Sequence, residues 1–213
     1  MKLSFLQEQN LTQKTHISTK KWEIFTPQKW KLYVIISWTV AETLEKNDGL
    51  ETHIKRLLWP WDIFPLYIPH TSSDLSELIY ERRVPWKIIE IAQADFTDLL
   101  YTNQQITQLY MGYIGEAIQG VEQRLEDQNF LSTTDRCIQL LVKLAGNNQF
   151  TQDFDGQKEI RCWLTQVQLA SLSGCSRQSF TQTMNTLKNK NLLSYDARRI
   201  LIYNVDDLKA YKK

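Results

Sequence analysis

The placement of proline constrains the fold of this chain more than any other feature of its sequence. All five prolines lie in the first 85 of the 213 residues: Pro27, Pro60, Pro65, Pro69 and Pro85. Proline is excluded from helix interiors and central strands, because its ring fixes φ and its nitrogen carries no hydrogen. We therefore expect strands and loops in the first part of the chain and long helices only after it.

The apolar segments of this first part have the character of β-strands. They are short, rich in β-branched and aromatic residues and bounded by turn residues, and they cover residues 31–40, 52–59, 76–84 and 86–92. Asp48-Gly49, between the first two segments, is a strong hairpin signal. We predict a small antiparallel β-domain over residues 20–95, inside an N-terminal domain of residues 1–100.

A helical segment follows and continues to about Asp127. Five of its apolar residues are spaced alternately by three and four positions: Met111, Ile114, Ile118, Val121 and Leu125. This spacing places them on one narrow stripe of a helix, as in a coiled coil. We name these five residues the dimer stripe and predict a dimerisation helix over residues 101–131. Packing of the stripe against the β-domain is the alternative.

Charge separates the last part of the chain from the rest. Residues 132–213 contain 12 Lys and Arg against 7 Asp and Glu, whereas the first 131 residues contain 13 against 17. A basic region attached to an acidic remainder is typical of a nucleic-acid-binding module joined to another domain. An ordinary fluctuation of charge explains this difference equally well. No apolar run approaches the roughly 18 residues that span a bilayer, and the first residues do not form a secretory signal, so we expect a cytoplasmic protein.

Residues 164–193, LTQVQLASLSGCSRQSFTQTMNTLKNKNLL, predict two short helices joined by a tight turn. Thr165 and Gln168 form a capping box that starts the first helix. Gly174 ends it, because a left-handed residue costs least as glycine, and Ser176 is a natural N-cap for the second helix. Two helices joined in this way form a helix-turn-helix.

The second helix has one apolar and one polar face. Phe180, Met184 and Leu187 lie on the apolar face, and five hydrogen-bond donors lie on the other: Arg177, Gln178, Thr181, Gln182 and Asn185. In the major groove of DNA, Arg pairs with guanine and Gln with adenine. The polar face therefore predicts base recognition. Residues 192–203 predict a two-stranded wing whose Arg198 and Arg199 are placed to contact phosphates.

Residues 164–193 resemble the DNA-binding motif of the Crp/Fnr family of bacterial transcription regulators. The specific part is GCSRQSF…LK…NLL, and the likeness covers the C-terminal 80 residues well and the whole chain more weakly. It implies an α+β fold with an N-terminal antiparallel β-roll, a long dimerisation helix and a C-terminal winged helix-turn-helix over residues 132–213. It also implies a homodimer that binds a palindromic operator in double-stranded DNA.

The resemblance assigns roles to individual residues. In the family, the positions that match Arg177, Gln178 and Gln182 commonly contact bases. Thr165, Ser176 and Ser179 match positions that anchor phosphates or support the helix.

The N-terminal domain departs from the family members that respond to cyclic AMP. These members hold the nucleotide with a Gly-Glu pair and an Arg-Ser pair, where our alignment places Pro65-Leu66 and Ser76-Glu77. Because Glu77 would repel a phosphate, we predict a degenerate β-roll that does not respond to cyclic nucleotide. The three cysteines and three histidines are scattered, so we predict no metal and no cofactor. A different small-molecule effector and RNA polymerase stay open as partners.

The sequence leaves one alternative functional class open and gives no sign of another. A winged-helix module that binds a partner protein, without direct base recognition, is the alternative to a DNA-binding regulator. An enzyme is not predicted, because the sequence contains no G-x-S-x-G, G-K-[ST] or H-E-x-x-H motif.

Overall fold

Strands and helices separate along the chain in the way that the placement of proline predicts. A computed structural model divides it into two units, Met1–Val121 and Glu122–Lys213. The structure describes residues 13–18, 23–25, 27–28, 30–37, 40–46, 51–65, 78–82, 86–148, 150–161, 164–196 and 199–211. The predicted α+β class is confirmed, with a β-sheet unit first and a helix-turn-helix last.

The described part of the N-terminal unit consists mainly of antiparallel strands. In chain order they are β1 (Gln13–Ser18), β2 (Glu23–Phe25), β3 (Lys31–Ser37), β4 (Val40–Lys46), β5 (Glu51–Leu58), β6 (Ile63–Phe64), β7 (Leu78–Arg82) and β8 (Trp86–Ala92). They form two four-stranded sheets, ordered β1-β8-β3-β6 and β2-β7-β4-β5. The predicted hairpin residues Asp48 and Gly49 lie outside the described residues, but β4 and β5 pair in antiparallel register up to Lys46 and Glu51.

Helix α1 (Gln93–Thr102) and helix α2 (Gln104–Phe130) follow the sheets. We predicted one continuous helical segment, and the structure interrupts it at Asn103. The Asn103 N–H donates to the Leu99 carbonyl, and its side-chain oxygen accepts from the Ile106 N–H at 3.1 Å. One asparagine therefore ends the first helix and caps the second, a role that asparagine commonly has at helix starts.

A large apolar cluster joins the first sheet to these helices. It contains Leu32, Val34, Ile63, Ile89, Ile91, Phe96, Tyr110 and Tyr113. The Tyr113 hydroxyl donates to the Ile63 carbonyl at 3.1 Å and accepts from the Ile63 N–H at 3.2 Å. Because burial removes this phenol from water, the pKa of Tyr113 is raised.

Charged groups are also buried in this unit. The Glu42 carboxylate, 3% exposed, accepts from Arg56 at 2.8 Å and lies 3.2 Å from the Lys55 ammonium. Nearby in the sequence, Asp62 accepts from the Trp59 N–H at 2.7 Å. Burial raises the pKa of Asp62 to about 6. The sheets therefore enclose an ion pair and a second carboxyl group with a reduced tendency to ionise.

The described part of the C-terminal unit is a winged helix-turn-helix. Its elements are α3 (Thr133–Ala145), β9 (Thr151–Phe154), β10 (Gln157–Arg161), α4 (Gln166–Leu172), α5 (Arg177–Asn189), β11 (Leu193–Tyr195), β12 (Arg199–Ile202) and α6 (Val205–Ala210). The strands form one sheet ordered β11-β12-β10-β9, so the wing is part of a larger sheet than we predicted. Asp155 and Gly156 have φ of +50° and +78°, which confirms the predicted turn between β9 and β10.

Helix α6 was not predicted. Its start carries a clear signal, since the Asn204 side chain accepts from the N–H groups of Asp206 and Asp207. In the described part of the chain, every helix is too short or too polar to cross a bilayer.

Candidate nucleic-acid interface

Helix α4 starts and stops at the predicted residues. Thr165 accepts from the Gln168 N–H at 3.2 Å, and the Gln168 side chain accepts from the Thr165 N–H at 2.9 Å. These two bonds form the predicted capping box, so the Thr165 hydroxyl supports the helix. Gly174, with φ of +64°, has the left-handed conformation that we expected after the helix.

The turn between α4 and α5 is held by backbone and side-chain bonds. Cys175 N–H donates to the Ala170 carbonyl at 3.0 Å and Gly174 N–H to the Ser171 carbonyl at 3.1 Å, which is the Schellman pattern. The Arg136 guanidinium on α3 donates to the carbonyls of Ser173, at 3.1 Å, and Gly174, at 3.2 Å. Arg136 therefore fixes the turn that precedes α5, a role with no signal in the sequence.

Helix α5 begins at its predicted N-cap. Ser176 accepts from the Ser179 N–H at 3.1 Å, and the two hydroxyls lie 2.9 Å apart. The helix ends with Asn191 at φ of +56°, where Leu192 N–H donates to the Leu187 carbonyl. Both ends of α5 are thus fixed by local bonds.

The two faces of α5 differ as predicted. Phe180, Met184 and Leu187 are buried, together with Thr183, which we had not assigned to the core. On the polar face Arg177, Gln178, Gln182 and Asn185 are exposed, while Thr181 and Ser179 are half-buried. The Thr181 hydroxyl donates to the Arg177 carbonyl at 2.9 Å, inside its own helix. Arg177, Gln178, Gln182 and Asn185 are therefore accessible to a ligand.

Strand β11 of the wing braces the polar face of α5. The Tyr195 hydroxyl donates to the Asn185 side-chain oxygen at 2.8 Å, and the Lys188 ammonium lies 5.8 Å from the centre of the Tyr195 ring. With its oxygen engaged, Asn185 presents its NH₂ group outward, and this group can only donate. Tyr195 was not among our predicted site residues, because its role depends on a contact between two elements.

The structure describes one of the two predicted wing arginines. Arg198 lies outside the described residues. Arg199 is exposed, and its guanidinium lies 3.7 Å from the Glu159 carboxylate, which also accepts from Arg161 at 3.0 Å. The Arg161 hydrogen bond lowers the pKa of Glu159, so Glu159 is ionised at neutral pH. Arg199 is thus already close to one carboxylate and would have to exchange it for a phosphate.

The dimer stripe lies on α2. Four of its members are exposed: Met111 by 62%, Ile118 by 53%, Val121 by 45% and Leu125 by 56%. Ile114 is partly buried against the apolar cluster of the N-terminal unit. The alternative that we left open, packing on the β-domain, therefore describes Ile114 only, and the other four form an apolar stripe on the surface of the single chain.

Potential metal ligands are not clustered in the described part of the chain. Among the described residues, no group of three or more His, Cys, Asp or Glu side chains is arranged to hold a metal ion. Of the positions that our alignment compared with a cyclic-nucleotide site, Leu66, Ser76 and Glu77 lie outside the described residues.

The helix-turn-helix and most of the chain are similar in sequence to known proteins. The model of the Crp-like helix-turn-helix domain matches residues 135–211. The chain is 24% identical over 172 residues to the cAMP-activated global transcriptional regulator CRP of Pasteurella multocida. The aligned residues cover 81% of this chain and 80% of that protein.

Solved structures share the fold of the chain. FixK2 from Bradyrhizobium japonicum has a TM-score of 0.74 at 13% identity, and the match covers 94% of this chain and 97% of that one. A CooA mutant from Carboxydothermus hydrogenoformans also has a TM-score of 0.74, at 16% identity, with 99% and 95% covered.

Proposed function

We propose that this chain is a transcription regulator of the Crp/Fnr type, which the match of residues 135–211 to the Crp-like helix-turn-helix domain supports, and that it binds a palindromic DNA operator as a homodimer. Helix α5 of each copy enters the major groove, where Arg177, Gln178 and Gln182 contact bases. The members of this family are transcription regulators, which are not enzymes.

One observation carries the proposal. On α5, Arg177, Gln178 and Gln182 are exposed, while Phe180, Met184 and Leu187 on the other side are buried. An arginine and two amides at the start of a helix offer donors and acceptors that match base edges, and none of them is an acid that would repel DNA. Thr165 and Ser176 cap α4 and α5, and Ser179 bonds to the Ser176 cap. We assign these three residues a supporting role in which they contact phosphates.

The exposed apolar residues of the dimer stripe support the proposed dimerisation. These four residues lose contact with water when two α2 helices pair along the stripe. A two-fold pair of helix-turn-helix units binds two half-sites about 34 Å apart, so the operator is expected to be palindromic.

We further propose that cyclic AMP does not activate this protein, although its relative in Pasteurella multocida is named as cAMP-activated. The proposal depends on our alignment, which places Pro65-Leu66 and Ser76-Glu77 where the cyclic AMP-binding members of the family have their ribose-binding and phosphate-binding pairs. Titration calorimetry with cyclic AMP should show no binding, and added cyclic AMP should leave DNA affinity unchanged. Binding that raises DNA affinity would contradict this part of the proposal.

Selection from random DNA tests the main proposal. The purified full chain should enrich a palindrome, with an affinity that falls steeply as salt rises, because bound phosphates release counterions. Arg177→Ala should weaken binding to that palindrome by about 1–3 kcal/mol and relax the preference at one base pair of each half-site.

Lys143→Ala is the matched control, since it removes one exposed positive charge from α3. It should leave base preference unchanged. If selection enriches no sequence, the winged helix instead serves as a protein-interaction module.

A further inference from the structure

Two thiols meet beside the recognition helix. The sulfur atoms of Cys137 and Cys175 lie 3.8 Å apart, although 38 residues separate them in the chain. Both are free cysteines, Cys137 being buried in α3 and Cys175 half-buried in the turn before α5. The spacing of the cysteines in the sequence gives no sign of this contact.

The two thiols share the Ser173 hydroxyl as a neighbour, and the Arg136 guanidinium lies close by on the carbonyls of Ser173 and Gly174. The Ser173 hydroxyl lies 3.1 Å from the Cys175 sulfur and 3.8 Å from the Cys137 sulfur. It also donates to the carbonyls of Leu169 and Ala170. The thiols therefore lie at the junction of α3, the end of α4 and the start of α5.

We propose that Cys137 and Cys175 form a redox-sensitive pair, which a peroxide converts into a disulfide, and that this bond weakens DNA binding. The formation of the disulfide is independent of what the protein binds, whereas its effect on DNA rests on the proposed function.

The two cysteines react one after the other. The accessible Cys175, as thiolate, attacks one oxygen of hydrogen peroxide, which breaks the O–O bond and gives a sulfenic acid and hydroxide. The Cys137 thiol then attacks the Cys175 sulfur and forms the S–S bond, while the S–O bond breaks and the thiol proton passes to the departing oxygen, which leaves as water. In total, two thiols and one hydrogen peroxide give one disulfide and two waters.

Burial suits Cys137 to the second step. Because it lies in a desolvated environment, the pKa of Cys137 is raised to about 12. Its sulfur therefore keeps its proton more readily than an exposed thiol does, and it reacts slowly with peroxide. Its position against Cys175 lets it react once the sulfenic acid has formed.

The new bond changes the geometry at the start of α5. A disulfide requires about 2.05 Å between the sulfur atoms, against 3.8 Å in the reduced chain. We assign this approach to Cys175, which lies in the turn, because Cys137 is buried within α3. The neighbour of Cys175, Ser176, is the N-cap of α5. Arg177 and Gln178 follow directly, so the residues that we assign to base contacts move with the turn.

The test compares reduced and peroxide-treated full-length protein. Thiol titration in denaturant should fall from three thiols to one, since the sequence has three cysteines. Peptide mapping without reductant should join the Cys137 and Cys175 peptides. Binding of the palindromic duplex selected by the reduced protein should weaken at least tenfold and recover with dithiothreitol.

Variants separate the possible outcomes. Cys137→Ala and Cys175→Ala should each bind the duplex as well as the reduced wild type and lose the peroxide response, whereas Cys162→Ala should keep it. Circular dichroism checks that each variant is folded. The redox proposal is overturned if treated wild type keeps three thiols, if Cys175 is oxidised without joining Cys137, or if the disulfide forms and affinity is unchanged. If the reduced protein selects no DNA, the proposed function fails, and the thiol titration still decides whether the disulfide forms.

Discussion

The two units of this chain bury different kinds of polar group. The N-terminal unit encloses charge, with Glu42 and Arg56 paired between strands and Glu90 close to Lys31 at 2.6 Å. In the described part of the C-terminal unit, the buried polar residues are Ser173 and Thr183, which are neutral. Charged side chains there lie partly or fully exposed, including those proposed to meet DNA.

This difference suggests substitutions that should act on one unit and not on the other. A buried ion pair is costly to break, because the remaining charge cannot be solvated. The helix-turn-helix depends instead on backbone geometry, with capped helix ends and left-handed residues at defined positions. Substitutions that remove a partner of a buried charge should therefore lower the stability of the first unit. Substitutions that replace a left-handed residue should lower the stability of the second.

The largest effect is expected from Arg56→Ala. The substitution leaves the Glu42 carboxylate, which is 3% exposed, without the guanidinium whose Nε and Nη2 both donate to its Oε2. We expect the N-terminal unit to lose about 3 kcal/mol of unfolding free energy at neutral pH. Urea unfolding followed by tryptophan fluorescence measures this, since six of the seven tryptophans precede residue 100.

Lys55→Ala is the control for this prediction, because Lys55 also contacts Glu42 but is 48% exposed. Its loss should cost less than about 1 kcal/mol. Equal losses for the two variants would mean that burial does not set the strength of these pairs.

A smaller effect is expected from Gly174→Ala in the second unit. Gly174 has φ of +64°, and an added Cβ would lie 2.9 Å from the Gln128 side-chain nitrogen. The conformation alone should cost about 1–2 kcal/mol, while the flexible Gln128 can move aside. Hydrogen exchange of peptides from α4 and α5 should show the loss of protection.

Gly146→Ala is its control, since Gly146 has φ of −77° and an added Cβ would meet nothing closer than 3.6 Å. Protection of α4 and α5 should stay as in the wild type. Loss of protection in both variants would show that the left-handed conformation is not the cause.

The smallest effect is a gain from Asp62→Asn. The folded state raises the pKa of Asp62 from 3.8 to about 6, so folding binds a proton between these values and stability falls as pH rises through them. An asparagine avoids this cost and still accepts from the Trp59 N–H. This rise of the pKa corresponds to about 3 kcal/mol, from which the cost of burying the new amide NH₂ group takes about 2 kcal/mol. Above pH 7 the variant should therefore be more stable by about 1 kcal/mol, and this gain should disappear below pH 4. Urea unfolding at pH 4 and pH 8 measures the gain, and an equal difference at both pH values would contradict it.

The distance in sequence between interacting residues explains which parts of the structure the sequence could predict. Thr165, Gly174, Ser176 and the Asp155-Gly156 turn act on neighbours within a few residues, so their roles follow from local chemistry. The helix-turn-helix that they define was predicted residue by residue.

The sheets depend on pairing between distant segments. Strand β1 pairs with β8, joining Gln13 to Ile91, and no local signal specifies that partner. For the same reason, the contacts of Arg136 and Tyr195, the Glu42 ion pair and the approach of Cys137 to Cys175 were not predicted. The break at Asn103 and helix α6 had local capping signals that our sequence analysis missed.

The exposed stripe on α2 has a consequence for the abundance of this protein. If two copies must pair along Met111, Ile118, Val121 and Leu125 before they grip an operator, dimers form in proportion to the square of the monomer concentration at low expression. Halving the gene dosage would then reduce operator occupancy by up to fourfold. The amount of protein in the cell would itself be a regulatory signal, even without an effector.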